Sequence, residues 1–258
     1  MGATRYPLGA KPVKPDYRDL PARLVLPAAT TLAEKFWDEP VMLDQGGYGT
    51  CVSNAWTHLL TGDPIQHPNV RALDPANQPS YGKLGSSAYW TNPLTGKVDY
   101  QGDAYKAERY AVRMYDEIHD GVMEEPDPGR ENGCSTQHGG DVLRRRGMIS
   151  AYYRAASAGE VVTAILTHGP VVFASPWYHS MFDPVKHADG SRWVNVDPSS
   201  GIAGYHAYLL DAAVTGVNGW VRIHNSWGPM WAPHGSARIS IPDLQILFWG
   251  QAFIATEV

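Results

Sequence analysis

The chain has 258 residues, 43% of them hydrophobic and 18% charged, a balance that fits a globular protein with a large core and excludes disorder, collagen and coiled coil. The formal charge is −5 and no long basic run is present; Arg144-Arg145-Arg146 reads as one exposed helix turn, so no nucleic-acid partner is expected. Neither an apolar stretch of about 18 residues nor the apolar core of a secretory signal is found, so neither membrane insertion nor signal-directed export is expected.

Residues 1–40 hold six of the 20 prolines and little periodicity, which predicts an extended N-terminal arm lying on the fold. Thr50 can cap a helix over residues 51–60, with Val52, Ala55, Trp56 and Leu59 at helical spacing and Gly62 past its end. Residues 61–103, rich in proline and glycine, read as a long surface excursion. Ala104, Ala107, Ala111, Met114 and Ile118 mark one face of the next helix, which the prolines and acids of 121–132 break.

Ser135 or Thr136 begins a helix that stops at Gly147, and Ser157-Ala158-Gly159-Glu160 is a capping-box pattern before a helix over 161–167. After Gly169-Pro170 the texture turns to strands, over 171–175, 205–215, 220–224 and 236–241. Gly216-Val217-Asn218-Gly219 is a hairpin turn that folds His206 and Asn225 to the same end. The expectation is an α+β chain: a single domain over 41–258, mostly helical over about 41–168 and an antiparallel β lobe over about 169–258. The site belongs in the groove between the lobes.

Two cysteines cannot form a disulfide framework, so Cys51 and Cys134 are each either a buried small hydrophobe or a reactive thiol. A nucleophilic thiol must ionise, and a helix N-terminus or a neighbouring imidazolium lowers its pKa. Cys51 sits at a predicted helix start; His206 can supply the imidazole, Asn225 can hold its ring, and Gln45 with the Cys51 N–H can donate to an oxyanion. Singly these are a core histidine, a turn residue and a surface amide; their joint order carries the reading. No His-Glu-x-x-His or Cys-x-x-Cys occurs, so no metal or other cofactor is expected.

Gln45-Gly46-Gly47-Tyr48-Gly49-Thr50-Cys51, then Tyr205-His206-Ala207, then His224-Asn225-Ser226-Trp227-Gly228-Pro229-Met230-Trp231 resemble the three active-site blocks of papain-like cysteine peptidases. Gly169-Pro170-Val171-Val172 and the Gly235 to Ile239 tail extend the resemblance over about residues 40–240. It implies a two-lobed fold and hydrolysis of a polypeptide substrate through a thioester. Cys51 would be the nucleophile, poised as a thiolate, with His206 as base and acid, Asn225 as orienting residue, Gln45 as oxyanion donor and Trp227 shielding the pair. Ala174, Gly204 and Tyr205 would line the second subsite, and Gly133, Cys134 and Ser135 would flank the substrate strand.

The sequence also departs from the family. Tyr48-Gly49-Thr50-Cys51-Val52 lacks the preceding cysteine and the following aromatic, which removes a family disulfide. That fits a bacterial or bacteriophage-type member made in a reducing compartment, cytoplasm or virion, with the arm free to meet virion or other protein partners. The 44 residues before Gln45 leave no room for the usual inhibitory prodomain, so either no zymogen is needed or activity is narrow. Two alternatives follow: a virion structural protein that keeps the fold, and a thiol amidase acting on cell-wall peptides.

Overall fold

Strand residues whose two faces are both apolar must be covered on both sides, and the central strands of this protein read that way. The computed structural model describes residues 6–14, 16, 19–38, 40–71, 104–228 and 231–256. In chain order β1 (Glu34–Phe36) precedes α1 (Cys51–Thr61), α2 (Pro68–Arg71), α3 (Ala104–Ile118) and α4 (Thr136–Arg145). Next come β2 (Ala151–Arg154), α5 (Ala158–Thr167), β3 (Val171–Tyr178), β4 (Val185–Lys186), β5 (Arg192–Trp193) and β6 (Ile202–Val214). The chain closes with β7 (Trp220–His224), β8 (Ser236–Ser240), α6 (Ile241–Leu247) and β9 (Gln251–Thr256). One sheet runs β2-β9-β3-β6-β7-β8-β5-β4, and β1 adds to β6 along residues 212–214.

Alternation along β3, β6 and β9 sends Val171, Phe173, Tyr208, Leu210, Ala252 and Ile254 to one face, where they meet α5 and α6. Val172, Ala174, Ala207, Leu209 and Phe253 face the other way, onto α1, α3 and α4. The helix α5, expected in the helical lobe, therefore belongs to the β lobe's own core. Its start is as predicted, with the Ser157 hydroxyl accepting from the Glu160 N–H.

The helix α1 lies wholly buried between sheet and helices. Its polar side chains turn inward on its own backbone: Ser53 donates to the Thr50 carbonyl and Thr57 to the Ser53 carbonyl. The expected Thr50 cap does not form, since the Thr50 hydroxyl instead accepts from the Asn54 amide. Close approach of α4 depends on Gly139, where a Cβ would fall 2.2 Å from the Trp56 ring. That contact lets the Trp56 indole donate to the Thr136 carbonyl at 2.8 Å. Strands β1, β2 and β9 lie outside the expected set, and most of the excursion foreseen over 61–103 falls outside the described residues.

Beneath α1 a bulge in the β6–β7 ladder falls at Asp211. It turns this fully buried carboxylate toward Arg222, at 2.7 and 3.1 Å, and toward His224 Nε2, at 3.0 Å. Burial works against the Asp211 charge, but His224 and Arg222 outweigh it and hold the carboxyl below its usual range. His58 of α1 faces His224 edge-on at 6.2 Å, with both ring nitrogens buried and unpartnered. Burial first, and His224 second, push its pKa from 6.5 down to about 3.

Two outcomes are expected. Removing one partner of a buried charge pair costs about 3–5 kcal/mol, so Asp211→Ala should lower stability by that order in urea melts. The unfolded chain protonates His58 near pH 6.5 and the folded one only near pH 3, so its contribution is complete above 6.5 and lost as pH falls between the two. Melting temperature should drop over that range, and His58→Leu should flatten the drop.

Candidate active site

Cys51 is the first residue of α1, and the bulk around it leaves its side chain buried. His206 projects from β6, and Asn225 follows the last residue of β7, so the 216–219 hairpin sets the two at one end. Asn225 Oδ1 accepts from the Ser226 N–H at 2.8 Å, which fixes it as the acceptor oxygen. His206 Nε2, 2.7 Å from the same oxygen, must then carry its proton, and Nδ1 is left as the basic nitrogen without a partner. Trp227 stacks on the imidazole at 4.4 Å and Trp177 meets it edge-on at 5.0 Å, which keeps water off the bond. The Cys51 sulfur accepts from the Ala207 N–H, one residue beyond His206.

Gln45 is held on both sides. Its Oε1 accepts from the Ser226 hydroxyl at 2.6 Å, its backbone N–H donates to the Ser226 carbonyl, and Nε2 donates to the Tyr48 carbonyl at 2.7 Å. The Gly228 N–H donates to the Leu43 carbonyl, so the Gln45 loop and the Asn225 loop are laced together. Gln45, Asn225 and His206 are thus joined through Ser226, and Cys51 meets the backbone at Ala207, the residue after His206.

The groove between the lobes is occupied by the chain's own arm. Tyr6 stacks on Trp227 at 4.5 Å, and the Pro7 carbonyl lies 3.3 Å from Gln45 Nε2. The Gly9 N–H donates to the Cys51 sulfur, and the Gly9 carbonyl accepts from the Cys134 N–H at 2.9 Å. Ala10 N–H donates to the Tyr205 carbonyl at 3.1 Å, and Lys11 N–H to the Cys134 carbonyl at 2.9 Å. Small residues are required along this track: a Cβ on Gly9 would lie 2.0 Å from the Gly49 carbonyl oxygen, and one on Gly133 would lie 1.9 Å from the Gly9 oxygen.

Of the residues expected to line a substrate strand, Gly133, Cys134, Gly204, Tyr205 and Trp227 touch the arm, Gly204 through Leu8. Ala174 is packed in the core below, and Ser135 opens α4. Sequence reasoning foresaw an arm lying on the fold but missed Trp177, Ser226 and the arm's path through the cleft. Its one signal was Gly9-Ala10 between Pro7 and Pro12, a small, extended tetrad that fits a narrow slot.

Burial acts on both ionisable groups of the site. Burial, ahead of four backbone N–H contacts, pushes the Cys51 thiol from 9.0 up to about 11. Burial, ahead of the Asn225 bond, pushes His206 down from 6.5 to about 4. With the arm in place burial disfavours both charged forms, the thiolate and the imidazolium expected from the sequence. The 44 residues before Gln45 are expected to leave no room for the usual inhibitory prodomain, yet residues 6–11 among them lie across the site.

Search of solved structures returns papain-like cysteine proteases. Xylellain, a cysteine protease from Xylella fastidiosa, matches at 18% identity and TM-score 0.50 over 100% of both chains. The procathepsin L2 proteinase from the Tenebrio molitor larval midgut matches at 14% and 0.57, covering 97% of this chain and 78% of that one. ProCathepsin B S9 from Trypanosoma congolense matches at 11% and 0.53, over 97% and 86%. At these identities the likeness is one of fold, and the fold is the papain-like one. No protein-family model matches the chain, and no curated protein matches it by sequence. Among the described residues, no cluster of three or more His, Cys, Asp or Glu is arranged to hold a metal, and no helix is long and apolar enough to cross a membrane.

Gly9→Ala tests the cover directly. Its methyl group cannot be placed against the Gly49 carbonyl, so the arm should leave and iodoacetamide should alkylate Cys51 at least about tenfold faster at pH 7. Gly47→Ala, where a Cβ meets nothing within 4 Å, should leave the rate unchanged.

Proposed function

We propose that the chain is a cysteine endopeptidase whose groove takes an extended polypeptide and whose own arm holds it latent. The observation that carries this reading is the arm: a peptide strand lies along the groove, tied by backbone bonds to Cys134 and Tyr205, with the Cys51 sulfur beneath it. A surface that grips main chain in this way accepts many sequences.

Chemistry follows from the side chains once the arm is displaced. Water returns, the thiol pKa falls and the imidazole pKa rises, so the Cys51 proton can pass to His206 Nδ1. The thiolate attacks the scissile carbonyl, and Gln45 Nε2 with the Cys51 N–H donates to the oxyanion. His206 gives its proton to the leaving amine, then takes one from the water that hydrolyses the thioester, while Asn225 holds the ring. The leaving amine must lie beside His206, so the segment after the scissile bond passes over Trp227 and the segment before it follows Cys134 and Tyr205. The arm, running from Trp227 at Tyr6 to Cys134 at Lys11, lies in the opposite direction and does not present a bond for cleavage.

In the Gly9→Ala background a fluorogenic peptide should be cleaved, Cys51→Ala should abolish turnover, and Gln45→Ala should lower kcat by about 10²–10³. The pH dependence of kcat/KM should be bell-shaped. Absence of turnover with any peptide, together with a stoichiometric complex, would turn the reading toward the structural alternative. Cleavage confined to cell-wall stem peptides would turn it toward an amidase. The neighbours come from Xylella, Tenebrio and Trypanosoma, so they give no support to a bacteriophage source or a virion location.

A further inference from the structure

Outside the cleft, the β lobe carries an open groove of about 240 Å³ lined by residues of β1, β5, β7, β8 and the turn at Pro233 and His234. Arg222 and Arg238 stand directly opposite each other in the β7–β8 ladder, a placement in which like charges repel. Arg222 is answered from below by Asp211, whereas Arg238 pairs, among the described residues, with Asp189, an exposed partner at 3.2 Å. An exposed pair of this kind contributes little and exchanges readily for another carboxylate. Arg192, the third guanidinium of the groove, makes one long contact, 3.5 Å to the Pro184 carbonyl.

The walls are aromatic. Trp220 lies under the Arg238 guanidinium at 4.3 Å and meets Phe36, itself 48% exposed, at 5.8 Å. At the mouth His234 is held in the left-handed region at φ 56, a conformation that costs a non-glycine residue energy. This cationic groove lies on a chain whose formal charge is −5, so it draws anions against the sign of the whole. The turn that lines it follows Trp231 within three residues, and the Gly235 carbonyl accepts the Asn225 N–H at 2.9 Å.

We infer that this groove is a second binding site that engages an acidic polypeptide segment, carboxylates on Arg192 and Arg238 with an apolar side chain against Phe36 and Trp220. The segment belongs to the protein being cleaved, since that polypeptide is the partner the cleft brings to this lobe. This assignment of the partner rests on the peptidase reading. Binding itself does not.

The test uses Cys51→Ala full-length protein and a fluorescein-labelled peptide of alternating Glu and Phe, read by anisotropy. Saturable binding that weakens with salt is expected, with at least about a tenfold loss in Arg192→Ala and in Arg238→Ala, partial retention in Arg238→Lys, and none for the Lys and Phe peptide. Arg192 lies on a strand of only two residues, so its variant keeps the test open if Arg238→Ala fails to fold. No binding, or equal binding by the variants, would overturn the proposal, as would displacement by inorganic phosphate at equal concentration. In the Gly9→Ala enzyme an acidic tail on one end or the other should lower KM for a neutral peptide. If the neutral peptide is cleaved and the tail changes nothing, the groove assignment fails and the peptidase stands. If the acidic peptide binds and nothing is cleaved, the reverse holds.

Discussion

The state of the site depends on one contest at Cys51, between the helix that begins there and the burial that surrounds it. A helix N-terminus favours an anion by about 0.3–1 kcal/mol, and by up to about 2 in partly buried settings. The thiol is nonetheless pushed from 9.0 to about 11, which corresponds to about 3 kcal/mol against the thiolate. Burial therefore wins, and the arm at Gly9 is one of the segments that close over the thiol. His206 is governed by the same desolvation with the opposite sign, so one physical event, the return of water, shifts both groups toward the charged pair that thiol chemistry needs.

Rigidity of the machinery has a separate origin. With both faces of β3 and β6 covered, neither strand can slide without moving apolar side chains from one core to the other. The same strands present His206 upward and Asp211 downward, and β7 answers with Asn225 at its end and Arg222 and His224 along it. Asn225 thus stands one residue beyond a strand fixed by a buried charge network, which is how a hydrogen bond of 2.7 Å to the imidazole is kept in register.

What the sequence made legible follows this division. Cys51, His206, Asn225 and Gln45 announced themselves because chemistry restricts residue type, and α1, α3 and β7 because their periodicity or turn residues are strong. Strands β1, β2 and β9 were not legible, since each is short or pairs only with distant residues, as Glu34 does with Val214. The Asp211 network was hidden too: a lone aspartate in an apolar run reads as strand, and only the bulge reveals what it faces. The path of the arm was the hardest to read, because backbone bonds hold it and backbone carries no sequence signature.

The arm has two parts with different attachments, and that difference governs how the groove can open. Asp19 pairs with the buried Arg154 at 2.7 Å, Trp37 donates its indole N–H to the Ile165 carbonyl, and β1 adds to the sheet, so residues from 19 onward are part of the folded core. Residues 6–11 hold on through a few hydrogen bonds, each contributing about 0.5–1.5 kcal/mol net, two aromatic stacks of Tyr6 and the packing of Leu8 and Ala10 on the cores. Release of the first part therefore costs a few kcal/mol and leaves the second in place. Because the anchor at Asp19 keeps the strand near the cleft, a competing polypeptide faces an effective concentration in the millimolar range or above. Only a substrate with contacts beyond the backbone, or a change that removes the fit at Gly9, shifts that balance.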